Sequence, residues 1–87
     1  MKLPKLAPGD AIEILWIDSH YAGDKGWMSE DEVLDNIQEI IIRSVCQYLT
    51  KDKQYIYTVA DRSQTDDGVM RDLKIPLGCI KQIRRLT

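Results

Sequence analysis

The stretch Ala11–Asp18, AIEILWID, constrains the fold most, because it is apolar on both of its alternating sides. Strand side chains alternate with period two, so Ile12, Ile14 and Trp16 share one face and Glu13, Leu15 and Ile17 the other. A chain that opens on such a strand must bury one face and account for the second. We assign Ile12, Ile14 and Trp16 to the core. The Glu13, Leu15 and Ile17 face is more apolar than a solvated strand requires. Either the carboxy-terminal strand or the amino-terminal arm covers it, or it is an interface with a subunit or partner.

Little material is available for that core. The 87 residues make one domain spanning 1–87, and a chain of this size buries only roughly 60 to 65% of the surface its unfolded form exposes. A hydrophobic fraction of 44% against 30% charged argues against disorder. Net charge of −2 and a pI near 5.2 give no general attraction to phosphate backbones or anionic lipid. The start, MKLPKLAPGD, lacks the apolar region of a signal peptide, and runs such as Ile40–Ile42 fall far short of the roughly 20 residues that span a bilayer. These features predict a cytoplasmic protein with no membrane partner. Cys46 and Cys79 are expected as reduced, buried thiols, and one histidine without a CxxC or HxxxH spacing offers no zinc ligand set.

Residues 1–9 contain two prolines and read as an extended arm. A polar, glycine-bearing loop follows the first strand from Asp18 to Gly26. Trp27-Met28-Ser29-Glu30-Asp31-Glu32-Val33-Leu34 then carries a helix start: Ser29 caps, Glu32 reaches back, Met28 staples onto Val33, and the acidic first turn suits the helix dipole. The spacing predicts a short helix over about 30–37 with Val33, Leu34 and Ile37 turned inward. Glu39–Leu49 is too rich in β-branched residues for a helix and reads as the second strand. Lys51-Asp52-Lys53 is a turn, and Tyr55–Asp61 is a third strand. Asp67-Gly68 closes a loop by glycine's tolerance of positive φ, and Val69–Ile75 is a fourth strand ended by Pro76. Leu77-Gly78-Cys79 makes one tight turn before a last strand, Ile80–Leu86.

This order predicts a mainly β fold with one short helix: a small, five-stranded, SH3-like barrel. An OB-type barrel is the alternative, disfavoured because the helix follows the first strand rather than the third. The segments WIDS at 16–19, GW at 26–27 before an acidic helix, SVCQYL at 44–49 and IPLGCIKQIRRL at 75–86 resemble a type of small protein encoded in phage and prophage genomes. The resemblance implies a phage context and the host bacterial cytoplasm. It also implies a non-enzymatic protein that binds a host component, including parts of antiviral defence, and it carries over no catalytic residue.

Asp18, Ser19 and His20 are adjacent in sequence, which is poor geometry for a nucleophile and its base, and no GxSxG-type oxyanion signature accompanies them. No catalytic residue, metal ligand or cofactor is therefore assigned. Asp18 and Ser19 read instead as polar terminators of the strand. The candidate ligand or partner surface comprises Leu15, Ile17, His20, Tyr21, Trp27, Tyr55, Tyr57, Arg62 and Arg71. The aromatics offer stacking or sealing faces, and the arginine forks match anionic oxygens. The expected partner is a host protein or a small anionic, nucleotide-like ligand, bound by a homo-oligomer. Two further readings stand behind it: a nucleic-acid-binding barrel using Trp27, Tyr55 and Tyr57 with Lys81, Arg84 and Arg85, and a structural or assembly protein of a virion.

Overall fold

A computed structural model describes residues 3–18, 27–36 and 40–86. The expectations placed on Ser19, His20, Tyr21 and Ile37 lie outside the described residues. In chain order the elements are β1 (Ala11–Asp18), α1 (Glu30–Asn36), β2 (Ile40–Lys51), β3 (Tyr55–Val59), β4 (Asp61–Arg62), β5 (Val69–Met70), β6 (Leu73–Pro76), a 3-10 turn (Leu77–Cys79) and β7 (Ile80–Arg85). Among the described residues, the fold is thus mainly β with one short helix. Five strands form an antiparallel sheet in the order β6-β3-β2-β1-β7, and β4 and β5 form a separate two-stranded ribbon.

The chain connection forces this sheet to curl. Its edge strands, β6 and β7, are consecutive, joined only by Leu77–Cys79. Pro76 lies opposite Tyr55, beyond the Lys51↔Ile56 pair, while Ile80 lies opposite Trp16, which pairs with Ile42. In a straight strand the run from Ile42 to Lys51 covers roughly 30 Å. The link from Pro76 to Ile80 spans at most about 14 Å. The strands between must therefore coil, and bulges at Leu49 of β2 and Lys81 of β7 sharpen the bend. The edges form no ladder with each other, so the curled sheet remains open.

Its inner face carries the core: Ile12, Ile14, Tyr48, Ile56, Ile75, Ile80 and Ile83. Trp16 packs against this cluster but is only half-buried, with its indole N–H donating to Ser44 Oγ at 3.0 Å. Leu3 and Leu6 of the arm cover the same inner side. Gly9, at φ 93°, turns the arm so that its N–H donates to the Tyr48 carbonyl at 2.7 Å. Cys46 and Cys79 are free thiols packed against the core, half-buried rather than buried as expected, because each sits at the margin of the core cluster. Among the described residues, no helix is long and apolar enough to cross a membrane.

Several expectations need correction. The third and fourth strands are not continuous: each breaks, and their distal ends pair as β4 and β5. The second break falls at Arg71, whose left-handed φ of 58° ends a strand, and its guanidinium clamps Asp61 at 2.8 and 3.0 Å. Gly68 has no positive φ; a Cβ there would stand 2.8 Å from Asp66 Oδ1, so close approach explains the glycine. In α1, Ser29 Oγ accepts the Glu32 amide at 3.1 Å as expected. Leu34, however, is 69% exposed rather than turned inward, because α1 has no extensive contact with any strand.

Candidate functional site

The pairing of β1 with β2 and β7 decides what stands on the outer face. Ile17 lies opposite Ile41, Leu15 opposite Arg43 and Gln82, and Glu13 opposite Val45 and Arg84. Neither expected cover lies over them: the arm packs on the inner side, and β7 runs alongside β1. Ile41 and Val45 are 51% and 53% exposed, next to half-buried Leu15 and Ile17. Among the described residues, the result is an apolar strip along the two central strands with no element packed extensively over it.

An ion triad borders that strip. Glu13 is only 8% exposed, and its carboxylate accepts from Arg43 Nε at 2.6 Å and from Arg84 Nε at 2.9 Å. The Arg84 guanidinium, and after it Arg43, holds the Glu13 carboxyl below the usual carboxylate range. The two guanidiniums remain largely exposed around one buried carboxylate, which leaves the border net positive. Cross-strand charge pairs of this kind stabilise the pairing of adjacent strands.

The other candidates are dispersed. Trp27 is fully exposed at the start of α1, where Met28, Glu30, Val33 and Leu34 line an open depression of about 340 Å³. Tyr55 and Tyr57 share one side of β3, with ring centroids 6.3 Å apart. Lys74 Nζ sits 4.0 Å from the Tyr55 ring centre, and the Tyr57 hydroxyl donates to Asp52 Oδ2 at 2.8 Å, which raises the phenol's pKa. No ring contact links these tyrosines to Trp27 among the described residues. Arg62 donates to Gln47 Oε1 at 2.5 Å and lines a depression of about 410 Å³ with Val69 and Met70. Arg71 is committed to Asp61. Among the described residues, the sequence candidates therefore do not converge on one pocket.

Leu15 and Ile17 belong to the apolar strip; Ile41, Val45, Arg43 and Arg84 complete it and are absent from the sequence-derived site. The signal for the first three was the alternation of β2, where Ile41, Arg43 and Val45 occupy the phase opposite to Ile42, Ser44 and Cys46. Among the described residues, no group of three His, Cys, Asp or Glu side chains is placed to hold a metal ion. Comparison with protein-family models, curated proteins and solved structures returns no match.

Proposed function

We propose that this chain is a non-enzymatic binding module, a small barrel of the SH3-like kind, that seats an acidic, apolar segment of a host protein on the outer face of β1 and β2. The observation that carries the reading is the Leu15, Ile17, Ile41 and Val45 strip beside exposed Arg43 and Arg84. Contiguous apolar surface with a charged rim is the usual anatomy of a protein-docking patch. The barrel assignment is supported by the meander β1-β2-β3-β6 and by the 3-10 turn that returns β7 to β1. The resemblance to phage and prophage proteins favours a host component, such as an antiviral defence protein, as the partner.

Small anions are the weaker choice, since the arginines proposed for them are engaged elsewhere, Arg71 by Asp61 and Arg62 by Gln47. Nucleic acid is weaker still, because Lys74 occupies one face of Tyr55 and, among the described residues, Trp27 makes no ring contact with Tyr55 or Tyr57. The test is affinity capture from bacterial lysate by the wild type and by Ile41→Glu and Val45→Glu. Both variants are expected to fold and to lose the captured protein. Capture unchanged by either refutes the reading. In parallel, a ligand present at about 100 times its Kd adds roughly 2.7 kcal/mol, so a large melting shift with a nucleotide panel points to the anion alternative.

A further inference from the structure

The outer strip has a complement within the same chain. The α1 segment, EDEVLDN, carries Glu30, Asp31 and Glu32 in its first turn and no basic residue. On its apolar side Trp27 and Leu34 are exposed, and α1 has no extensive contact with any strand among the described residues. The strip presents the matching chemistry: exposed Ile41 and Val45 bordered by the guanidiniums of Arg43 and Arg84. Two unsatisfied apolar surfaces of opposite charge on one molecule are self-complementary.

We infer that α1 of a second copy of this chain docks on the outer β1–β2 strip, its apolar side on Ile41 and Val45 and its acidic first turn toward Arg43 and Arg84. The helix belongs to the excursion between Asp18 and Ile40, which pair with each other, so it departs from the end of the hairpin that carries Ile17 and Ile41. A twofold exchange lets each helix meet the other copy's strip. Such an isologous pairing uses both complementary surfaces at once and closes the assembly at two. The inference rests on the strip being a protein-docking surface and deepens it: the self-contact occupies the site that a host segment must take over, so host binding and self-association compete.

The test is sedimentation of the full chain at low and high micromolar concentration, as the wild type, Leu34→Glu, Ile41→Glu and an equimolar mixture of the two variants. Leu34 and Ile41 are both largely exposed, so each variant is expected to keep the wild-type β-sheet circular dichroism. The wild type is expected to dimerise. Each variant alone loses both reciprocal contacts and weakens self-association by about tenfold or more, as a charge enters an apolar contact. In the mixture, the intact strip of Leu34→Glu receives the intact helix of Ile41→Glu, which restores one of the two reciprocal contacts, and association recovers in part. A wild type that stays monomeric, a Leu34→Glu that dimerises like the wild type, or a mixture that does not recover each overturns the inference. Failure of the docking-surface reading is a separate result: Ile41→Glu then leaves lysate capture unchanged, whatever the sedimentation shows.

Discussion

Ile14 and Ile41 stand on adjacent central strands and face opposite sides, so truncating each to alanine measures the two faces with the same chemistry. The change removes Cγ1, Cγ2 and Cδ1. At roughly 0.8 kcal/mol per buried carbon, complete burial puts the transfer loss near 2.4 kcal/mol. Ile14 is 0% exposed on the inner face, and the cavity left behind raises the cost to about 3.5 kcal/mol. Ile41 is 51% exposed, so about half the transfer loss applies, roughly 1.2 kcal/mol, with no cavity because water fills the space. At about 4 to 8 °C per kcal/mol for a domain of this size, Ile14→Ala lowers Tm by about 14 to 28 °C and Ile41→Ala by about 5 to 10 °C. The assay is thermal unfolding followed by circular dichroism at low protein concentration, where self-association contributes least. Equal losses at the two positions refute the assignment of faces. A loss at Ile41 that grows with protein concentration reports a covered strip and agrees with docking by a second copy.

Acid should destabilise the protein through Glu13 and Asp52, whose carboxyls are both held low in the fold. Their contribution is complete above the ordinary values of 4.5 and 3.8 and is lost as pH falls through the lower folded values. Glu13→Gln should flatten that acid limb in urea unfolding measured across pH, and an unchanged slope counts against the triad. In alkali, Tyr57 should ionise above the usual 10 because its hydroxyl donates to Asp52. Ultraviolet titration of wild type against Asp52→Asn reads this directly, and superimposable curves refute the bond. Ser29→Ala removes the cap of α1, at a local cost of about 1 kcal/mol. Helical ellipticity should drop while the Tm of the sheet stays put, because α1 has no extensive contact with the strands.

Much of the sheet was legible because its signals are local. The alternation of Ala11–Asp18, the β-branched density of β2, the Asp52 turn and the Pro76-to-Cys79 corner each act within a few residues. The Asp52 turn is typical: Asp52 Oδ1 accepts from the Gln54 and Tyr55 amides, both at 2.8 Å. What escaped depends on partners far away in sequence. The breaks in the third and fourth strands follow from Arg71 reaching Asp61, and Gly68 answers to the side chain of Asp66. The candidate surface divided the same way. Leu15 and Ile17 stood out from their own strand, whereas Ile41, Val45 and Arg43 join them only through the β1–β2 register. Leu34 was misplaced because helical periodicity states which side is apolar without naming what that side meets.

The Glu13–Arg84 pair joins residues 71 apart in sequence, and that separation sets an order of events during folding. Neighbouring strands such as β2 and β3 meet through short turns, whereas β7 must find β1 after nearly the whole chain has been arranged, and closing so large a loop is slow. Until it does, one edge of β1 keeps its backbone donors and acceptors open, beside some of the most apolar sequence in the molecule. Folding intermediates with that edge uncovered are the species from which aggregation should start. Lys81, Arg84 and Arg85 travel on the strand that finally covers it, so the same segment that completes the sheet also carries the charge that keeps the finished edge from recruiting another strand.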